Sequence, residues 1–211
     1  MTRIEVLVVL AVLLGLLVFW VLPYCTRATM RQYPKTLYDC ASNLKQIGLG
    51  LQIYAGDNNG KYPFQAFATN GGLRELRDGN QVAPYFQKAA YCFGNEPRLL
   101  FCPLEQARVV AANFANLTDF NISYFLNTDA DKNSTANSIL AGDRFLQVGG
   151  QPVKSGLFLL TPELNVSWMS DFHDDGGNLL WTDGSVQFTT NRTLTVAIKA
   201  QPLATNHVLI P

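Results

Sequence analysis

Residues 178–189 read NLLWTDGSVQFT. Two runs of aliphatic, aromatic and β-branched residues flank Asp183-Gly184. Asp-Gly between such runs is a strong short-range hairpin signal, because a two-residue primed turn needs positive φ at both central positions and these residues tolerate it. The stretch therefore predicts antiparallel strands over 178–182 and 185–189. Working outward, residues 122–126 (ISYFL), 138–141 (SILA) and 156–161 (GLFLLT) have the same strand-favouring content, and residues 192–200 read as a short helix. On the N-terminal side, Leu37, Cys40, Ala41, Leu44, Ile47, Leu51 and Tyr54 recur at i+3 and i+4, which predicts an amphipathic helix over 37–55. Gly48 and Gly50 weaken that helix by about 1 kcal/mol each relative to alanine, and would let a strand approach closely. Asp57-Asn-Asn-Gly60 supplies its stop. Residues 62–110 read as irregular structure with short helical stretches at 73–77 and 81–90.

Residues 6–22, VLVVLAVLLGLLVFWVL, carry no charge. Such a run is long enough to cross a bilayer as a helix, and Trp20 and Tyr24 at its far end suit the headgroup layer. Pro23 ends or kinks it. The segment lacks the shorter apolar core and small-residue cleavage site of a secretory signal. The expected organisation is an anchor helix over 1–24, an amphipathic continuation over 25–58 and a head over 59–211. The expected fold class is α+β, a long N-terminal helix packed on a small antiparallel β-sheet head. Glu5 stands at the edge of the apolar run. A carboxylate there is either paired and functional or simply resident in the headgroup layer. Arg27, Arg31 and Lys35 follow the run while only Arg3 precedes it, so charge alone would place the head in the cytoplasm.

The 211 residues include 16 basic and 16 acidic side chains, a net charge of zero. With no basic stripe, nucleic acid is not an expected partner. The four cysteines, Cys25, Cys40, Cys92 and Cys102, form no C-x-x-C pair, which argues against a zinc ribbon or thioredoxin-type site. In an oxidising compartment Cys92 and Cys102 could close a short disulfide loop, the alternative being two buried thiols; Cys25 and Cys40 are assigned no partner. Asp129, Asp131 and Asn133 begin like a calcium loop. Ser134 and Leu140 stand where an EF-hand needs glycine and glutamate, so a solvated acidic turn is favoured, a calcium site of another kind is the alternative, and no other cofactor is expected. His173, with Asp171, Asp174 and Asp175, is weak evidence for metal or acid–base chemistry, and a structural hydrogen-bonding role is favoured. The chain holds no G-x-S-x-G, H-E-x-x-H or glycine-rich phosphate loop. No catalytic residue is expected.

The start MTRIEVLVVLAVLLGL resembles the type IV pilin and pseudopilin N-terminus, with Thr2, Ile4, Glu5, Val6 and Leu7 matching and Met1 at the position that family gives to phenylalanine. Cys40-Ala-Ser-Asn-Leu-Lys-Gln-Ile-Gly-Leu-Gly-Leu-Gln, Tyr54 and residues 57–63 are similar to the second half of a pilin-like helix and its exit. His173, followed nine residues later by Asp183-Gly184, matches the H-x9-DG signature of a pilin-like family of Planctomycetes and Verrucomicrobia. Residues 100–103 (LFCP), 121–125 (NISYF) and 141–144 (AGDR) are similar to that family as well. The resemblance implies a pilin-like fold and a non-enzymatic structural subunit of a type II secretion or pilus-like apparatus. It also implies a single pass of the bacterial inner membrane with the head periplasmic or extracellular, against the charge reading. Partners would be the membrane, other pilin-like subunits and secretion machinery. Glu5 would pair with a neighbour's terminal amine during assembly, since charges in lipid are tolerated when paired. A tethered binding module that does not polymerise is the alternative.

Overall fold

The structure, a computed structural model, describes residues 15–16, 35–77, 79–133, 137–170, 173 and 175–211. The chain divides into two compact units, Met1–Lys35 and Thr36–Pro211. Of the first, only Gly15, Leu16 and the backbone of Lys35 are described, so the expected anchor and Glu5 lie outside the described residues. Among the described residues no helix is long and apolar enough to cross a membrane.

The second unit opens on α1 (Lys35–Asp57). Its buried face is Cys40, Leu44, Ile47, Leu51, Tyr54 and Ala55, the stripe expected from the i+3/i+4 spacing. The helix ends where the Asn-Gly signal placed its stop. Asn59 and Gly60 take left-handed conformations, and the Gly60 N–H donates to Ala55 O at 2.7 Å. A connecting region of single 3-10 turns and the short α2 (Ala83–Lys88) follows. Then come β1 (Tyr124–Asn127), β2 (Ile139–Asp143), β3 (Leu146–Val148), β4 (Gln151–Pro152), β5 (Gly156–Leu160), β6 (Val166–Trp168), β7 (Gly176–Trp181), β8 (Val186–Thr190), α3 (Asn191–Lys199) and β9 (Asn206–Ile210).

Six strands form one sheet in the order β5-β9-β1-β2-β7-β8, and β4-β3-β6 form a second, with antiparallel pairing throughout. Both faces of the larger sheet's central strands are covered. Tyr124, Leu126, Leu140 and Leu180 pack with the apolar stripe of α1 in one core. Phe125, Ile139, Leu179 and Val208 pack on the other side with Trp168 and Val166 of the second sheet and Leu194 and Ile198 of α3. The alternation along β1 explains why its residues are all buried: successive side chains point to opposite faces, Tyr124 and Leu126 into the core with α1 and Phe125 into the other.

This corrects the expected fold class. The unit is a β-rich antiparallel fold of nine strands in two sheets with three α-helices among the described residues, not a long N-terminal helix on a small sheet. The longest α-helix described is the 23-residue α1. The physical reason lies in the central strands: doubly buried, they need a second layer opposite α1, and β3, β6 and α3 provide it.

Candidate functional site

The quoted hairpin forms, with β7 and β8 paired from Gly176↔Thr190 to Leu180↔Val186. Its turn differs from the one expected. Only Gly184 has positive φ (82°), the Gly184 N–H donates to Trp181 O, and the Trp181 N–H donates to Ser185 O, each at 2.9 Å. The result is a longer turn with one left-handed glycine, so Asp183 keeps an ordinary conformation. Asp183 Oδ1 accepts from Ser185 Oγ at 2.6 Å and from the Ser185 N–H at 2.7 Å. These bonds, foremost the hydroxyl's, hold its carboxyl below the usual aspartate value. The turn is clamped to α1: Lys45 Nζ donates to Gly184 O at 2.6 Å and Gln52 Nε2 to Thr182 O at 3.3 Å. Gly48 lets the strand come near, since a Cβ there would meet Leu180 Cδ1 at 2.7 Å.

The other end of the motif is buried. His173 is 4% exposed, in a left-handed conformation (φ 51°). Its Nε2 lies 3.4 Å from Cys102 Sγ, and its Nδ1 lies 3.0 Å from Asp143 Oδ2. The second approach is a close contact rather than an aligned hydrogen bond, because among the described residues the ring nitrogen has no partner of hydrogen-bonding geometry. Asp143, at the end of β2 and fully buried, also accepts from the Asn178 N–H at 2.6 Å and from Asn178 Nδ2 at 3.0 Å. Phe145 meets the imidazole edge-on at 6.3 Å.

Cys102 is disulfide-bonded to Cys40 of α1, with Cα atoms 5.3 Å apart, and among the described residues Cys92 is free. The expected Cys92–Cys102 loop is therefore corrected. Cys92 is half-buried, and burial pushes its thiol up. The Cys102 loop is fixed from several sides. The Ser123 N–H donates to Leu100 O at 2.8 Å, Asn43 Nδ2 donates to Phe101 O at 3.0 Å, and Arg144 grips the buried Glu105 through two bonds of 2.9 and 3.0 Å. Four stretches distant in sequence, around Cys40, Cys102, Asp143 and His173, thus meet at one buried junction. Sequence reasoning named Cys102 and His173. It missed Cys40 and Asp143 as members, although each lay in a stretch already singled out.

The calcium candidates make these contacts within the head. Asp129 pairs with Arg77 and accepts from the His207 N–H at 2.7 Å, with His207 Nδ1 also at 2.7 Å. Asp131 Oδ1 accepts from the Asn133 N–H at 2.9 Å, and Asn133 Nδ2 donates to Gly60 O at 3.2 Å. Among the described residues, the His, Cys, Asp and Glu group with ligand atoms close enough to hold a metal is Cys40, Cys102 and His173. Asp171 and Asp174, read beside His173, lie outside the described residues.

A groove of about 490 Å³ runs beside α1, lined by Asp39, Ser42, Asn43, Arg98, Phe101 and Pro103. Fold and site together define a two-sheet antiparallel domain fastened to one helix through a cystine–histidine junction and a clamped hairpin. No family model, curated protein or solved structure matches the chain.

Proposed function

We propose that the chain is a non-catalytic, membrane-tethered subunit of a type II secretion or pilus-like apparatus, as its likeness to pilin-like sequences implies. The observation that carries this reading is the fate of the His173…Asp183-Gly184 motif. Both of its ends are fastened to α1, one through Cys102 and Cys40 and the other through Lys45 and Gln52. Motif side chains occupied in holding the head together favour architecture over turnover of a substrate. In this reading residues 1–24 are the inner-membrane anchor, the head is periplasmic or extracellular, and Glu5 pairs with a neighbouring subunit's terminal amine. The partners are the membrane, like subunits and secretion machinery. Cross-linking in native membranes tests it: the wild type yields a ladder of self-adducts, and Glu5→Gln removes the ladder while the head keeps its thermal transition. A wild-type chain that stays monomeric with the apparatus present would overturn it.

The groove beside α1 favours a second reading, a tethered module that binds a ligand without polymerising. Asp39 and Arg98 place opposite charges around the ring of Phe101, a lining that suits a small zwitterionic or peptide-like ligand. Monomers in the cross-linking experiment, together with loss of a bound ligand in Arg98→Ala, would favour it.

A further inference from the structure

Three donor atoms converge at the junction. Cys40 Sγ, Cys102 Sγ and a ring nitrogen of His173 lie within 4.8 Å of one another, and all three residues are buried. The orientation of the imidazole matters: Nε2 faces the sulfur at 3.4 Å, and Nδ1 is turned to the Asp143 carboxyl at 3.0 Å. A carboxyl behind one ring nitrogen is what fixes an imidazole whose other nitrogen ligates a metal. A tetrahedral zinc ion, with bonds of about 2.3 Å to sulfur and about 2.0–2.1 Å to nitrogen, sets a sulfur and a nitrogen about 3.6 Å apart, close to the 3.4 Å between Cys102 Sγ and His173 Nε2. It needs the two sulfurs, bonded to each other here, to part to about 3.8 Å. The disulfide alone does not account for this set. Its sulfurs are weak acceptors, so a buried imidazole nitrogen gains little from them. Among the described residues Asp143 Oδ1 is buried with no hydrogen-bond partner, and His173 is held at a φ costly for a non-glycine residue.

We propose that in its dithiol form this junction binds one thiophilic metal ion, zinc being the model, through Cys40 Sγ, Cys102 Sγ and His173 Nε2. The metal-bound form and the Cys40–Cys102 disulfide are then exclusive states of one site. The chain is synthesised with both thiols. Zinc binding forms two S–Zn bonds and releases one proton from each thiol. Oxidation by a disulfide of an exchange partner forms the Cys40–Cys102 bond. The two thiolates pass two electrons to the partner, which takes up two protons and leaves as two thiols, and the zinc ion is freed. A dithiol runs the exchange in reverse. Asp143 acts as a positioning residue.

The test uses the full chain in detergent, in a Cys25→Ser/Cys92→Ser background, reduced with a phosphine and titrated with cobalt(II). The proposal expects one cobalt per chain with sulfur-to-cobalt charge-transfer bands, displacement by one equivalent of zinc, and protection of both thiols from alkylation. The oxidised chain takes up none. Asp143→Asn weakens zinc binding by about 10–100-fold, and His173→Gln abolishes the one-to-one complex. A reduced chain that keeps its near-UV dichroism yet shows no such bands would overturn the proposal. So would a reduced chain that unfolds and is not restored by zinc, or a His173→Gln chain that binds as the parent does.

Discussion

The two ends of the His173-to-Gly184 segment are fastened to the same helix by different means. At the hairpin end the contacts are partly in water: Asp183 and Ser185 are exposed, and the turn, whose own bonds are local, leans on α1 through two side-chain donors. At the histidine end every group is buried, and its partners come from stretches as far apart as Cys40 and His173. In the first case turn chemistry and solvent share the stabilisation. In the second, polar groups removed from water depend on one another, so loss of one strands the rest.

Breaking the buried end is expected to have the largest effect. Cys40→Ala or Cys102→Ala frees a pair separated by 62 residues, which costs about 4 kcal/mol on the loop-entropy account. Denaturant midpoints should fall accordingly and wild type under reductant, without metal, should match the variants, while Cys92→Ala changes far less. Next comes Asp143→Ala. It leaves the two Asn178 donors without their buried acceptor, a loss of about 2–3 kcal/mol. Thermal unfolding at fixed pH measures it.

The hairpin end should respond more gently. Gly184→Ala places a Cβ at φ 82°, costing about 1–2 kcal/mol. Its clash at 2.8 Å is with Gln52 Nε2, the far end of a flexible side chain that can move aside. Asp183→Asn is expected to have the smallest effect, and its pH dependence gives it away. The folded state depresses this carboxyl below its ordinary value of 3.8, so the folded chain binds the proton less readily than the unfolded one. The stabilisation is present near neutrality and is lost as pH falls below about 4 through the folded value. Wild type and variant should therefore converge in acid, as denaturant midpoints taken from pH 7 to pH 2.5 would register. A hairpin variant costing more than the buried ones would break the comparison between the two ends.

Legibility follows the same division. The helix over 37–55, its Asn-Gly stop, the hairpin, and strands near 122–126, 138–141 and 156–161 rest on local periodicity and turn chemistry, and the structure has each within a few residues. Gly48 and Gly50 do sit where a neighbour closes in, Leu180 on one and the Phe93 ring on the other. The second sheet was not legible, because β3, β4 and β6 are only two or three residues long and show no period. The place of β9 between β5 and β1 depends on a long-range crossover that no local signal encodes. The cystine was misjudged for a related reason. Cys92 lies near Cys102 in sequence, which favours a short loop, yet α1 carries Cys40 across the sheet face to the same point. Asp143 stands in the sequence only within the stretch 141–144, and no local signal shows that β7 and the turn before it bring Asn178 and His173 to it.

The Cys40–Cys102 bond ties α1 to the head at the junction beside His173. Peptide mapping of the fully oxidised chain, alkylated and digested without reductant, tests this most directly. The expected result is one cross-linked pair joining the Cys40 and Cys102 peptides, with Cys92 alkylated. A Cys92–Cys102 peptide, or Cys40 alkylated in the oxidised protein, would contradict it.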